Sequence, residues 1–162
     1  MPREFYIRLA KEADAAVLVV FTRAMALETE NKELLPGIVS QGVESLLKNQ
    51  ELGFYVVAEA QLETVGSLMV TTEWSDWRNG IFWWIQSVYV RPDWRRRGIF
   101  RSLYGFVKSL ANEDPSVCGF RLYVERGNEA AQKTYRAIGM EQTSYQMFEE
   151  LKGGIEYFRP PA

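Results

Sequence analysis

Five arginines fall within eleven residues of this sequence, and a glycine lies among them. The arginines are Arg91, Arg95, Arg96, Arg97 and Arg101. Gly98 lies where the connection after a predicted strand turns into a predicted helix. A helix start offers unpaired backbone N–H groups and the positive end of the helix dipole, and a glycine lets the backbone approach a phosphate closely. Arginine adds charge and a planar fork of donors, so this segment predicts an anion site suited to a diphosphate.

Two further features favour a ligand site over a solvated arginine run or a basic patch for nucleic acid. The preceding segment 87–90 reads as a strand that delivers the loop at its C-terminal end, where ligands of open α/β sheets bind. A second set of residues follows downstream: Asn128, Ala131, Tyr135 and Gly139. The formal net charge is −2, so we expect no nucleic-acid binding driven by overall charge.

Residues 88–100 read Val-Tyr-Val-Arg-Pro-Asp-Trp-Arg-Arg-Arg-Gly-Ile-Phe, which resembles motif A of the GNAT family of N-acetyltransferases. Residues 128–140 resemble the downstream helix motif of that family, in the same order and spacing. The resemblance implies the acyl-CoA N-acyltransferase fold and acetyl-CoA as co-substrate, with no need for a metal. It further implies transfer of the acetyl group to a primary amine of a small molecule or peptide, by direct attack in a ternary complex.

The resemblance also implies the cofactor-binding residues. Arg95 opens the signature Q/R-x-x-G-x-G/A, and the pyrophosphate is expected on the backbone N–H groups of Arg96, Arg97, Gly98, Ile99, Phe100 and Arg101. Val88, Tyr89 and Val90 are expected along the cofactor, with Val88 and Val90 pairing with pantetheine through their backbone. The second small residue of the signature is Phe100 here. Its ring must therefore point away from the phosphates, toward sheet or helix packing.

Asn128 and Tyr135 are the other two residues implied by the resemblance. Asn128 would contact the cofactor arm while capping its helix, and Tyr135 would stand near the sulfur as general acid. If the CoA thiol resembles cysteine, proton transfer from an ordinary tyrosine is uphill by about 2 kcal/mol. Tyr135 therefore needs a lowered pKa, or it stabilises the thiolate only by a hydrogen bond. The alternative is that Tyr135 simply packs on one helix face.

The general base is not identified by the sequence. No carboxylate lies on the segment 84–88, where many members of the family carry a glutamate. The candidates are Glu73, Asp76, Glu28, Glu30, or a water relayed through Gln86 or Ser87. The missing carboxylate and the bulky Phe100 leave a second hypothesis open, a catalytically silent acyl-CoA-binding module.

Composition excludes several other kinds of site. There is no histidine, which argues against zinc sites and serine triads. The single cysteine, Cys118, reads as a buried hydrophobic filler. Four tryptophans lie within eleven residues: Trp74, Trp77, Trp83 and Trp84. Strand alternation sends Trp83 and Trp84 to opposite faces, and the others suit an acceptor pocket or a homodimer interface.

The longest apolar run, Ala15 to Phe21, is far shorter than the roughly 20 residues of a membrane span. The first five residues lack the apolar stretch of a secretion signal. We therefore expect a cytoplasmic protein with no membrane partner. The length of 162 residues and the absence of a linker predict a single domain over residues 1–162.

Hydrophobic periodicity predicts the elements that position the site. The predicted strands are Phe5–Leu9, Gly53–Ala60, Val65–Thr72, Ile81–Val90, Gly119–Glu125 and Thr143–Glu149. The predicted helices are one ending near Glu28, one starting near Pro36, one from about Arg97 to Asn112, and one from Glu129 to Ile138. This order predicts an α/β or α+β class with a mixed, mainly antiparallel central sheet flanked by helices.

Overall fold

The computed structural model describes residues 4–162 of the protein. Its strands are β1 (Tyr6–Leu9), β2 (Glu33–Leu34), β3 (Phe54–Ala60), β4 (Glu63–Ser75), β5 (Gly80–Val90), β6 (Val117–Arg121) and β7 (Phe158–Arg159). Its α-helices are α1 (Ala15–Glu30), α2 (Pro36–Lys48), α3 (Ile99–Asn112) and α4 (Glu129–Ala137). Short 3-10 turns occupy Glu12–Asp14 and Pro92–Trp94. Within residues 4–162, no helix is long and apolar enough to cross a membrane.

Five strands form the central sheet in the order β1-β3-β4-β5-β6. The neighbouring strands are antiparallel except β5 and β6, which run parallel. A parallel pair needs a crossover, and α3 supplies it. The mixed, mainly antiparallel sheet predicted from the sequence is confirmed.

Both faces of the sheet are covered by helices. In β3, Val56 and Ala58 face a core that includes Leu103 and Val107 of α3. Their neighbours Tyr55 and Val57 face a second core with α1 and α2. A strand buried on both faces reads as a continuous apolar run rather than an alternating one, which is the pattern of β3.

The prediction of a strand over Thr143–Glu149 is wrong. Residues 141–150 form no strand in the structure, and all of them are exposed. Alternation of apolar and polar residues suits a strand only where a neighbour supplies the ladder, and no described strand pairs with this stretch. β6 also ends at Arg121 rather than at Glu125.

A pairing near the C-terminus was not predicted. β7 pairs with β2 in the connection between α1 and α2, so that Leu34 lies opposite Phe158. The Leu35 N–H donates to the Tyr157 carbonyl at 2.8 Å. Strands of two residues carry too little pattern to be recognised in a sequence.

The expectation that Cys118 is buried is also wrong, because its thiol is exposed on β6. The two strand tryptophans face opposite sides as predicted. Trp83 belongs to the α3-side core, whereas Trp84 is half-buried on the other face. Trp74 and Trp77 are exposed by 61% and 82%, so an interface or pocket role for them stays a prediction.

A buried ion-pair network joins the first strand to the start of α1. Asp14 is only 7% exposed and accepts from both terminal nitrogens of Arg8, at 2.8 and 2.9 Å. The Lys11 N–H also donates to Asp14, and Arg8 reaches Glu59 on β3 at 2.8 Å. The Arg8 guanidinium holds the pKa of the Asp14 carboxyl below its usual range.

We expect Asp14→Asn to destabilise the fold by about 2 kcal/mol, because it leaves the partly buried Arg8 charge without its partner. A carboxyl with a lowered native pKa stabilises above its ordinary pKa of about 4, and the stabilisation is lost as pH falls through the lowered value. Urea unfolding at pH 7 and at successively lower pH checks both the size and the sign. Asp93→Asn, which removes an exposed carboxylate paired with Arg91, is the matched control and should change little. An equal loss in both variants would contradict the buried network.

Candidate active site

β5 and β6 are paired along only part of their length. The ladder runs from Ile81 opposite Val117 to Trp84 opposite Arg121. Beyond that point, residues 85–90 of β5 have no strand neighbour on the β6 side among the described strands. The divergence leaves an open strand edge whose backbone groups are available to an extended ligand.

Hydrogen-bond alternation shows which β5 residues face the open edge. The Arg91 N–H donates to the Val65 carbonyl at 2.9 Å, on the β4 side. Because successive residues of a strand point their backbone groups to alternate sides, Val88 and Val90 direct theirs away from β4. Tyr89 lies opposite Ser67 of β4, and its ring packs 4.9 Å from Phe21 of α1. Val88 and Val90 therefore lie toward the open edge, and their role in binding a cofactor stays a prediction. Tyr89 contributes packing rather than an open backbone group.

The loop after β5 leads into the start of α3, where several backbone N–H groups are unpaired. The N–H groups of residues 99–101 are called the α3 cradle below. Gly98 is the N-cap in a left-handed conformation (φ 76°), and Arg96 is also left-handed (φ 63°). The helix has no side-chain cap, and its first backbone bond runs from the Ser102 N–H to the Gly98 carbonyl at 3.0 Å. The N–H groups of residues 99–101 therefore have no acceptor within the helix. A Cβ built on Gly98 meets no atom within 4 Å, so the space beside this N-cap residue is open.

The five arginines divide into two groups. Arg91 is paired with Glu63 and Asp93, and Arg97 with Glu4. Arg95 donates to the Val90 carbonyl at 2.9 Å and to Glu28 at 2.8 Å, which ties the loop to the end of α1.

The remaining two arginines, Arg96 and Arg101, are exposed, and neither forms an ion pair with residues 4–162. These two charges are therefore the ones left for an anion at the helix start.

Phe100 packs as the sequence led us to expect. Its ring is stacked near Tyr104 at 6.2 Å between centroids and meets Tyr135 edge-on at 5.6 Å. Both contacts direct the ring into helix packing rather than toward the donors of the cradle. Phe100 therefore joins the first turn of α3 to Tyr135 on α4.

Asn128 and Tyr135 mark the two ends of α4. The Asn128 side chain accepts from the Ala131 N–H at 3.2 Å, so it is the N-cap that the sequence predicted. Tyr135 is half-buried, and burial raises the pKa of its hydroxyl. A lowered pKa is thus not found, and at neutral pH the hydroxyl is a neutral hydrogen-bond donor.

Three of the four carboxylates considered as a base are held by cations. Glu28 is bound by Arg95, Glu30 by Lys32 at 3.3 Å, and Glu73 by Arg121 at 2.5 Å.

The fourth carboxylate, Asp76, accepts from the Trp77 N–H at 2.9 Å in the turn between β4 and β5. That turn lies at the opposite end of β5 from Val90, roughly 30 Å away by strand rise.

Gln86 and Ser87 occupy the start of the open edge. The Gln86 Nε2 donates to Thr71 Oγ1 at 2.6 Å, which leaves the side-chain oxygen of Gln86 as an acceptor. Ser87 is left-handed (φ 50°) at the point where the register of β4 and β5 shifts. The cross-strand partner of Gln86 was missed from the sequence because Thr71 is fifteen residues away.

A cavity of about 1060 Å³ begins where β5 and β6 diverge. Trp84, Arg121, Tyr135 and residues 141–148 are among the residues that line it. No residue of the α3 cradle lines it. The structure thus has unpaired N–H groups at the start of α3, an open strand edge on β5, and a cavity that Tyr135 lines.

Comparison with known proteins identifies the family. The model of the acetyltransferase (GNAT) family matches residues 22–140, which is more than half of the chain. The structure of a possible acetyltransferase from Clostridium difficile 630 is 40% identical, with a TM-score of 0.85 over 93% of this chain and 99% of that chain. No curated protein sequence matches this chain.

Two more distant structures share the fold alone. A ribosomal-protein-alanine N-acetyltransferase from Brucella melitensis biovar Abortus 2308 is 19% identical, with a TM-score of 0.73 over 92% of this chain and 99% of that chain. An aminoglycoside N-acetyltransferase in complex with CoA is 16% identical, with a TM-score of 0.72 over 94% of this chain and 99% of that chain. By the family model and the 40% identical structure, the chain belongs to the acetyltransferase (GNAT) family and is an acetyl-CoA-dependent N-acetyltransferase.

Proposed function

We propose that the enzyme transfers the acetyl group of acetyl-CoA to a primary amine of a small molecule or peptide, by direct attack within a ternary complex. The observation that carries the proposal is the pairing of an uncapped, glycine-started helix α3 with the open edge of β5. The start of α3 offers N–H donors for a diphosphate, and the open edge of β5 offers backbone groups for the extended, amide-containing pantetheine.

In this proposal the cofactor is held mainly by backbone groups. The N–H groups of residues 99–101 bind the pyrophosphate, and the charges of Arg96 and Arg101 add to the helix dipole. Val88 binds the pantetheine amides through its open backbone groups, and Val90 through its N–H, because the Val90 carbonyl already accepts from Arg95. Asn128 already caps α4 through its side-chain oxygen, so its amide nitrogen is the group left for the cofactor arm.

The acetyl transfer exchanges one bond for another. The amine nitrogen bonds to the acetyl carbonyl carbon, the carbon–sulfur bond breaks, and the sulfur leaves with the electron pair. The nitrogen then releases one proton to water, which gives the neutral amide and the CoA thiolate. An open β5 N–H is suited to stabilise the developing oxyanion. Because burial raises the pKa of Tyr135, proton transfer from its hydroxyl to the thiolate is more unfavourable than for an ordinary tyrosine. We therefore assign to Tyr135 a hydrogen bond that stabilises the departing thiolate.

The amine must reach the carbonyl without its extra proton. Glu28, Glu30 and Glu73 are each paired with a cation, so their carboxylates are already engaged by partners other than the amine. We propose that the amine is deprotonated by solvent, with a water beside the Gln86 carbonyl oxygen carrying the proton away. A base of this kind has no carboxyl pKa, so the acid limb of the rate should follow the pKa of the amine itself.

A panel of primary amines with different pKa values tests the proposal. We expect mass spectrometry to show acetylated product from at least one amine, formed in proportion to the CoA released. Thiol reagents also react with the exposed Cys118, so thiol release is measured with Cys118→Ser as well. For two accepted amines, the acid limb of the pH profile should shift by the difference between their pKa values. A limb fixed near pH 4 to 5 for both would identify a carboxylate base instead.

The second candidate function is a catalytically silent acyl-CoA-binding module. The absence of a carboxylate on the open part of β5 favours it. Calorimetry with acetyl-CoA and mass spectrometry on the amine panel together separate the two functions. The silent module predicts acetyl-CoA binding with no acetylated product from any amine in the panel.

A further inference from the structure

Helix α1 is apolar on all sides, although one of its sides faces solvent. Between Ala15 and Leu27, Arg23 is the only charged residue and Thr22 is the only other polar one. A helix with apolar residues all round is typical of an element that is buried all round. In this structure Leu18 is buried in the core with α2, whereas Val20 on the opposite side of α1 is 61% exposed. The outer side of α1 therefore has a composition suited to burial and no cover among residues 4–162.

The exposed apolar residues on this side form a stripe, called the outer stripe of α1 below. They follow one another at spacings of three, four and seven residues: Ala13, Ala16, Val20 and Leu27. This is the spacing of the seam along which two helices pack in a coiled coil. The exposed side of α3 differs, because it carries the charges of Arg101 and Lys108. The outer stripe of α1 thus has the pattern of a helix–helix contact rather than of a solvated face.

Two unpaired charges of opposite sign flank the outer stripe. Arg23 forms no ion pair with residues 4–162, and its Nε is buried without a hydrogen-bond acceptor. Glu12 is exposed in the turn before α1 and forms no ion pair within the same residues. Eleven residues correspond to about three helical turns, so the two side chains lie on the same side of the helix, about 16 Å apart. Within one chain they are too far apart to pair.

A second copy of the chain, packed antiparallel on the outer stripe, brings these charges together. When Arg23 of one copy lies beside Glu12 of the other, the two-fold axis crosses α1 midway between these two residues. The same axis then places Glu12 of the first copy beside Arg23 of the second, so both charges of both copies are paired. In this register Val20 lies between Ala13 and Ala16 of the other copy, where the small side chains leave room for it. The charges and the apolar stripe are therefore complementary to themselves.

We propose that the outer stripe of α1 is a homodimer interface, at which two copies of the chain pair about a two-fold axis. The ion pairs between Arg23 and Glu12 set the antiparallel register, and the apolar residues supply the buried area. With 16 residues, α1 is about 24 Å long. A contact of one such helix with its copy covers less than the roughly 800 Å² per partner of a standard interface. We therefore expect a reversible dimer with a Kd in the micromolar range.

Sedimentation equilibrium of the whole chain between about 5 and 500 µM measures the association. We expect the average mass to rise from that of the monomer toward that of the dimer over this range. Val20→Glu should raise the Kd about tenfold or more, because it places two like charges close to the two-fold axis. Trp77→Glu is the matched control, since Trp77 is also an exposed apolar residue but lies in the turn between β4 and β5. This control should leave the dimer intact.

A mixing experiment tests the pairing of Arg23 with Glu12. In Arg23→Glu two glutamates meet at each end of the contact, and in Glu12→Arg two arginines meet there. Each variant by itself should therefore dimerise about tenfold or more weakly than the parent. A mixture of the two variants restores both pairs of opposite charges, so it should form a heterodimer with an affinity close to that of the parent. Damage to the fold of either variant would not be relieved by mixing.

Three results would overturn the proposal. The first is a chain that stays monomeric at about 500 µM, which would leave the outer stripe to a different protein. The second is a dimer that Trp77→Glu dissociates and Val20→Glu does not, which would place the interface at the tryptophans. The third is a failure of the two charge variants to associate on mixing, which would rule out the antiparallel register. None of these measurements involves acetyl-CoA or an amine, so their outcome is independent of the proposed function.

Discussion

Replacing Gly98 with aspartate should lower the affinity for acetyl-CoA by about a hundredfold or more. The new carboxylate would stand in the open space before the uncapped start of α3, where the pyrophosphate is expected. Both the repulsion between the charges and the competition for the same N–H groups oppose binding. An acidic group at a helix start stabilises the helix itself, so the fold should survive. Isothermal titration with acetyl-CoA measures the loss.

Gly98→Asn is the matched control for this variant. Asparagine has nearly the shape of aspartate and tolerates the left-handed conformation that Gly98 adopts (φ 76°), but it carries no charge. We expect it to keep acetyl-CoA affinity within about tenfold of the parent. If the two variants lose affinity equally, backbone conformation or bulk matters rather than charge, and the phosphate does not lie at this helix start.

Replacing Tyr135 with phenylalanine should reduce kcat by about a hundredfold with little change in acetyl-CoA affinity. The hydroxyl is proposed to stabilise the thiolate, which has its charge only as the reaction proceeds, so the loss belongs to the transition state. The ring remains and keeps its edge-on contact with Phe100, so the packing of α3 on α4 is preserved. Steady-state kinetics together with calorimetry separates the effect on kcat from the effect on binding.

Tyr104→Phe is the matched control for Tyr135→Phe. Tyr104 is also buried against Phe100, and burial raises the pKa of its hydroxyl too, but it lies in the α3 core and does not line the cavity. Its removal should leave kcat unchanged. Equal losses in the two variants would assign the effect to packing around Phe100 and would remove Tyr135 from the mechanism.

The raised pKa of Tyr135 also predicts the alkaline side of the pH profile. A phenol whose pKa is raised above its ordinary value of about 10 keeps its proton, and so remains a donor, up to a higher pH than a free tyrosine. We therefore expect no fall in kcat below about pH 10 that depends on this hydroxyl. A drop between pH 7 and 9 that disappears in Tyr135→Phe would contradict this assignment.

Features that depend on neighbours along the chain were predictable from the sequence. The start of α3, Gly98 as its N-cap and Asn128 as the N-cap of α4 are all set within a few residues, because helix starts need local donors and acceptors. The alternation of Trp83 and Trp84 follows from the strand period. The helix order and the mixed sheet followed from these local patterns together.

Features that depend on distant residues were decided by the tertiary structure. Arg95 and Arg97 look alike in sequence, but their partners lie 67 and 93 residues away, at Glu28 and Glu4. The same long-range pairing occupies Glu28 and Glu73, which had been open candidates for the base. Ion pairs form where the fold places opposite charges together, and residue spacing in the sequence does not predict which charges these are.

Strand pairing was also decided by the tertiary structure rather than by the local sequence pattern. Residues 143–149 have a strand-like pattern but no ladder partner, whereas β7 pairs with β2 across more than a hundred residues with almost no pattern. A strand is stable only where a neighbour accepts its backbone hydrogen bonds, and that neighbour is supplied by the rest of the fold. The sequence by itself therefore determined the class of fold and the glycine-started helix α3. The tertiary structure alone decided which charges remain unpaired, where the edge of β5 stays open, and that Tyr135 lines a cavity.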